Sequence, residues 1–430
     1  MALKHLLGFC TIILFLAYFH GSKNKNRAYI LFVLALFPFI DLHITTEQFG
    51  TLSVFDAISY YILLFRIKDF VSNFNLKRIY YILFFSLAIT LFIGSLQSDF
   101  VSNSLISGIK YLSVFIYGKM LIDEYKNDPA FSRLVLKFLK IICLFSVVFF
   151  FIQLKEGLGF TFYPNLNPNT QVEGLIRYPS FFFDPQVYAQ FLAMCSFLFL
   201  IAINTAPLKT QFYNIALFLL IVFVIFMTGG RAGLLGFCAG LFILFISGKN
   251  KFRLFVATCC LAGYIAVISF PQSFAVFNRD EGVNDSFAIR SQIWREGWQV
   301  FSSNPLWGVG IGNYTSFNLG HFSFNGYYLI NNEVVYYGTE NGYLNILAEC
   351  GISGLLSILL IVTLPLITSI KLYIGKKVNY NIFFLVASTF AWMIAFITTN
   401  TLDDKRTVVL LATILCLLIS LNHSPQKKHA

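Results

Sequence analysis

The sequence predicts an all-α, polytopic transmembrane helical bundle of about 12 to 13 spans with a helical periplasmic cap. Three observations predict it. Of the 430 residues, 57% are hydrophobic and only 12% are charged, whereas a soluble domain carries about 25% charged residues. The mean hydropathy is +0.72, and apolar runs recur along the whole length, which excludes a soluble domain held by one anchor. Lys and Arg gather in alternate short links between those runs, so the net charge of +11 orients helices and does not signal nucleic acid. A soluble enzyme is excluded.

A hydrocarbon core about 30 Å thick takes roughly 20 helical residues, fewer when polar ends reach the interface. On that measure the spans fall near 6–19, 28–42, 51–65, 79–96, 105–122, 134–154, 187–203, 213–228, 232–247, 254–270, 352–370, 382–398 and 408–421. The basic links are Lys23, Lys25 and Arg27; Arg66, Lys68, Lys77 and Arg78; Lys249, Lys251 and Arg253; Lys371, Lys376 and Lys377; and Lys427 with Lys428. The positive-inside rule puts these in the cytoplasm and the amino end of the first span outside. Two outward segments are then longer than turns, 155–186 and 271–351. The chain reads as one integral-membrane domain of the inner-membrane type, 1–430, in a lipid bilayer. It shows no internal repeat of the kind that marks many transporters. The eight cysteines lie in or beside apolar runs without a CxxC pair, so neither a disulfide nor a metal site is expected, and no cofactor.

The residues that need a chemical explanation sit almost entirely in or beside the outward segments. Gly229, Gly230, Arg231, Ala232 and Gly233 break one span and open the next. There the helix dipole favours an anion and a guanidinium fork suits phosphate oxygens, although an Arg that snorkels to headgroups fits the same pattern. Arg177 stands among aromatic residues, with Glu173 as its nearby acid, and suits stacking on Tyr178 or an external anion. Asp184 before Pro185 is expected to cap the following helix. A helix over 286–301, capped by Asp285 and ended by Asn304-Pro305, puts Arg290, Trp294 and Trp298 on one side, with Ile289, Ile293 and Val300 in a neighbouring stripe. The tryptophans suit an interfacial anchor as well as a platform for sugar rings.

Gly308, Gly310 and Gly312 alternate as in a phosphate loop. With no Lys-Ser/Thr and no βα unit, they read better as a turn whose backbone lies close to a helix or ligand. Glu340 and Asn341 mark the return of the long outer segment to the membrane. A carboxylate there suits a general base or a helix-start acid. Asp56 and Lys110 fall inside predicted spans, where a charge costs about 2.5–3.5 kcal/mol, so each should pair or reach the interface. His321 reads as a solvated loop residue.

In order, Arg177…Asp184-Pro185, Gly230-Arg231-Ala232-Gly233, Arg290…Trp294…Asn304-Pro305-Leu306-Trp307-Gly308-Val309-Gly310 and Glu340-Asn341-Gly342-Tyr343-Leu344…Glu349-Cys350-Gly351-Ile352-Ser353-Gly354 resemble the O-antigen ligase and Wzy-type polymerase superfamily. The resemblance implies a metal-independent membrane glycosyltransferase that takes an undecaprenyl-pyrophosphate-linked oligosaccharide, with a flippase and a chain-length regulator as partners. It implies that Arg177, Arg231 and Arg290 hold the donor pyrophosphate, with Asn341 and Trp294 on the substrate, and that Glu340 takes the acceptor proton. The ligases carry His-Asn where this chain has Glu340-Asn341, which favours polymerisation of repeat units over transfer to a lipid A core. A flippase is the alternative of a different class, but it would line a central cavity with charge rather than build a long outer cap.

Overall fold

The structure, a computed structural model, describes residues 2–44, 52–68, 77–163, 166–167, 170–172, 175–201, 203, 206–248, 250–269, 282–322, 327–330, 333–336, 338–376 and 378–421. The described helices are α1 (Ala2–Gly21), α2 (Lys25–Ala35), α3 (Val54–Phe65), α4 (Arg78–Leu96), α5 (Val101–Asn127), α6 (Phe131–Glu156), α7 (Pro185–Ser196), α8 (Leu208–Met227), α9 (Arg231–Ser247), α10 (Asn250–Ser269), α11 (Gly282–Ser303), α12 (Tyr314–His321), α13 (Gly342–Ile374), α14 (Ile382–Ala395) and α15 (Lys405–Leu421). Two antiparallel hairpins interrupt them, β1 (Gln171–Val172) with β2 (Leu175–Ile176) and β3 (Tyr327–Ile330) with β4 (Glu333–Tyr336). The fold is all-α and polytopic, as its apolar periodicity predicts.

Among the described residues, five helices are long and apolar enough to cross a bilayer alone: α4, α5, α6, α8 and α13. Several of the other predicted spans are shorter helices, for identifiable reasons. The second stops at Ala35 because Pro38, in the short 3-10 turn Phe37–Phe39, cannot continue an α-helix. The third starts at Val54, where Ser53 and Asp56 form a reciprocal capping box. The seventh ends as an α-helix at Ser196 and continues as a 3-10 turn to Leu200.

The chain divides into two compact units. Unit 1 comprises Met1–Val135, Ala288–Pro365 and Asn400–Ser420; unit 2 comprises Leu136–Phe287, Leu366–Thr399 and Leu421–Ala430.

In unit 2, α7, α9 and α14 form the interior. Nearly every residue of α7 and most of α14 is buried, so these apolar helices serve as core rather than lipid-facing wall. Small residues bring them together: a Cβ on Gly233 would fall 2.4 Å from the Ala189 backbone, and one on Gly236 2.4 Å from the Ala391 carbonyl oxygen. Such close approach lets dispersion act over the whole contact where lipid offers little hydrophobic drive between helices. The Gln190 side-chain N–H donates to the Trp392 carbonyl (3.2 Å), and the Ser388 hydroxyl to that of Met194 (2.6 Å).

Unit 1 is fastened at both ends of its helices. At one end Arg27 bridges Glu124 and Asp128, which fixes the start of α2 to the end of α5. The Ala130 backbone N–H and the Arg27 guanidinium hold the Asp128 carboxyl below the usual carboxylate range. At the other end the start of α15 carries a buried charge network. Lys405 Nζ lies 3.0 Å from Asp56 Oδ1, and Arg406 pairs with Asp404 and, at 3.4 Å, with Asp41. Asp56, flagged by its place in an apolar run, is therefore paired; its carboxylate also accepts from the Ser113 hydroxyl (2.6 Å) and the Ser53 hydroxyl (2.8 Å).

Candidate functional site

The 288–365 segment of unit 1 is organised by a broken helix. Gly351 interrupts α13 with φ 64° and ψ −171°, a backbone state open to glycine at little cost. The break releases the carbonyls of Ala348 and Glu349, which accept from the backbone N–H groups of Val309 (3.0 Å) and Gly310 (3.0 Å). The Ile352 N–H donates to the Pro305 carbonyl (2.9 Å), and the Ser353 hydroxyl to that of Leu306 (2.6 Å). The alternate glycines are thus a backbone zipper, as their spacing suggests. Gly308, Gly310 and Gly312 have φ of 74°, 92° and 77°, and a Cβ on Gly308 would stand 2.3 Å from the Glu349 backbone. Glu349 Oε1 accepts from the Tyr314 backbone N–H (3.2 Å), and Asn313 donates to the Ser98 hydroxyl (2.6 Å) while accepting from Asn103 (2.7 Å).

On this frame α11 lays one stripe inward. Ile293 and Val300 are buried, Val300 with Val309, Tyr314 and Ala348, while Trp298 is 57% exposed. The helix begins at Gly282, so Asp285 lies inside it rather than capping it. Trp294 is half-buried, and its buried indole N–H has no hydrogen-bond partner among the described residues. Glu296 and Asn318 are buried together, the Asn318 side chain donating to Glu296 Oε2 at 3.4 Å. Burial, reinforced by the nearby carboxylates of Glu296 and Glu349, pushes the Tyr314 hydroxyl above its ordinary range, so it stays protonated.

Arg290 and Glu340 meet. Arg290 Nε donates to Glu340 Oε2 at 3.0 Å, each side chain being 25% exposed. Glu340 has φ 46°, a left-handed conformation that costs a non-glycine residue roughly 1–2 kcal/mol. Its neighbours fix it there. The Thr339 hydroxyl donates to the Asn341 carbonyl (2.9 Å), and Asn341 Oδ1 accepts from the Leu344 N–H (3.1 Å), so Asn341 is the side chain that caps α13. Glu340, released from capping, presents its carboxylate to Arg290. His321 also has a partner that sequence spacing does not reveal: its Nε2 lies 2.7 Å from Asp99 Oδ2, and its ring stacks on Phe317.

Arg177 and Arg231 belong to unit 2. Arg177 is 1% exposed; its Nε donates to the Thr228 carbonyl (3.1 Å) and its Nη2 to the Gly229 carbonyl (3.0 Å). Its fork therefore holds the turn that leads into α9. Arg231 is the first residue of α9, half-buried, with no hydrogen bond or ion pair among the described residues. Gly230 caps that helix without a side-chain hydrogen bond. Asp184 caps α7 as expected, accepting from the Gln186 N–H at 2.6 Å. Glu173 and the side chains of 323–337 lie outside the described residues.

The fold defines a multi-pass helical membrane protein. The sequence model of the O-Antigen ligase family matches residues 216–359, a stretch that holds Arg231, Arg290, the glycine zipper, Glu340 and Asn341 but not Arg177. The chain is thus similar, over those residues, to the O-antigen ligase and Wzy superfamily, which supports a membrane function of the ligase or polymerase type in surface-polysaccharide synthesis. No curated protein matches the chain.

Proposed function

We propose that the protein is a membrane glycosyltransferase that polymerises lipid-pyrophosphate-linked oligosaccharide repeat units on the periplasmic side of the bacterial inner membrane. The observation that carries this reading is the Arg290–Glu340 pair, which puts a cation and a carboxylate at one partly exposed spot on a braced frame. In the reaction, an acceptor-sugar hydroxyl oxygen bonds to the anomeric carbon of the donor, and the bond from that carbon to the pyrophosphate oxygen breaks. The hydroxyl proton passes to Glu340, and the leaving pyrophosphate keeps the electron pair beside Arg290. Arg231 is proposed, on its own geometry in unit 2, to bind phosphate oxygens at the start of α9. Arg177 acts there through the turn it holds, as a positioning residue. Asn341 follows Glu340 in sequence and Trp294 lies one helical turn beyond Arg290 on α11, so both are proposed to border the substrate.

Reconstituted full-length protein supplied only with lipid-linked oligosaccharide should yield longer glycans. Glu340→Gln should slow that reaction about 10²- to 10⁴-fold. A variant within a few-fold of wild type would leave Glu340 without a chemical role. The description of the matching family favours a second reading, transfer of finished polymer to a lipid A core. Gene deletion separates the two: loss of a polymerase leaves a single repeat unit on the normal acceptor, whereas loss of a ligase leaves long polymer on its carrier lipid and a bare core.

A further inference from the structure

We infer that the Arg290–Glu340 pair is an exchangeable latch, in which the donor pyrophosphate displaces the Glu340 carboxylate from Arg290 and so frees the proton acceptor only when donor is bound. This deepens the proposed function and rests on it. Three features of the pair fit exchange better than permanent bracing.

First, Arg290 reaches Glu340 through a single N–H, Nε to Oε2, whereas a guanidinium fork meets phosphate or carboxylate best with two parallel bonds. The contact leaves most of the fork's donors uncommitted, and a pyrophosphate offers more oxygens and more charge than one carboxylate. Second, both side chains are 25% exposed, so an anion reaches Arg290 without opening the core. The pairs at the start of α15 differ: Lys405 with Asp56 and Arg406 with Asp404 are buried. Third, the backbone around Glu340 does not need the pair. The Thr339 hydroxyl and the Asn341 cap hold residues 339–344 in place, so the Glu340 side chain can rotate away while its backbone stays.

The coupling follows from orientation. While Arg290 Nε–H sits on Oε2, the Glu340 carboxylate is held toward Arg290, with Oε1 unpaired among the described residues. Once Arg290 turns to the pyrophosphate, the Glu340 side chain is free to turn to the acceptor hydroxyl at the step that needs it.

The test measures binding of inorganic pyrophosphate and of undecaprenyl pyrophosphate to the full-length protein in nanodiscs. Wild type is compared with Glu340→Gln, Glu340→Gly and Arg290→Gln; glycine suits φ 46° and keeps the backbone if the glutamine variant folds poorly. Removing a partly exposed ionic competitor should tighten both ligands about three- to tenfold in the Glu340 variants, and Arg290→Gln should weaken them. In turnover the Glu340 variants should lower the donor KM while kcat collapses, a split that a purely structural role does not produce. If both Glu340 variants bind no tighter than wild type while Arg290→Gln still binds poorly, the latch is wrong and the donor reading stands. If Arg290→Gln binds as well as wild type, Arg290 does not touch the donor and both ideas fall.

Discussion

Replacing Lys405 by methionine removes a charge from a place where its partner cannot reach water. Asp56 is 0% exposed, and its Oδ1 loses the Lys405 ammonium at 3.0 Å but keeps the Ser113 hydroxyl at 2.6 Å. Its Oδ2 keeps the Ser53 hydroxyl (2.8 Å) and N–H (3.2 Å). Breaking a buried ion pair from one side costs about 3–5 kcal/mol because an uncompensated charge remains. The surviving donors put Lys405→Met toward the lower end. For a unit of this size each kcal/mol lowers Tm by about 2–4 °C, so a cost near 3 kcal/mol gives an expected loss of roughly 6–12 °C. The assay is thermal unfolding of the purified protein in detergent, read by intrinsic fluorescence and by the fraction that stays monodisperse. Neutralising Asp56 should rescue the lesion: Asp56→Asn with Lys405→Met should recover most of the lost Tm, short of the order of 1 kcal/mol that the weakened capping box costs. A single variant within 2 °C of wild type, or a double variant no more stable than Lys405→Met (resolution about 2 °C), would refute the claim that this pair compensates a buried charge.

Gly308→Ala should cost more than about 2 kcal/mol, since φ is unfavourable and the new Cβ meets the Glu349 backbone at 2.3 Å, whereas Gly320→Ala, with nothing within 4 Å, should be neutral in the same melt. Arg231→Lys keeps the charge but loses the planar fork; surface polymer per unit of membrane protein should fall at least about tenfold, and full activity would remove Arg231 from the donor. Reporter fusions at Lys376 and Asn318 should read cytoplasmic and periplasmic respectively, and an inverted result at Asn318 would put the Arg290–Glu340 pair on the wrong side of the membrane.

The features legible in the sequence are those whose cause is local. Asp184 before Pro185 caps α7, because the cap and the N–H that donates to it lie two residues apart. Gly308, Gly310 and Gly312 announce a close backbone contact, because the absence of a side chain at alternate positions has few other uses. Pro38 also acts locally, yet the apolar run 28–42 conceals it: hydropathy continues through a helix stop, so composition overstates the second span. What composition cannot carry is the choice of partner. Arg177 invites an anion when seen among aromatics, but the two carbonyls its fork holds lie some fifty residues downstream. Lys405 and Arg406 were hidden for the opposite reason. They fall just before the apolar run 408–421 and so read as a loop, whereas α15 begins at Lys405 and carries both charges inside. Asp56 was a visible anomaly in its span, and Lys405 is its solution; neither half identifies the other until tertiary structure brings residues 56 and 405 together. The same holds for the candidate site. Arg290 and Glu340 each stand out singly, and Glu340 has an ordinary explanation as a helix-start acid. It is the 3.0 Å contact between them, with Asn341 taking over the capping duty, that removes the ordinary explanation for Glu340 and leaves a carboxylate whose position answers to a cation rather than to its own helix.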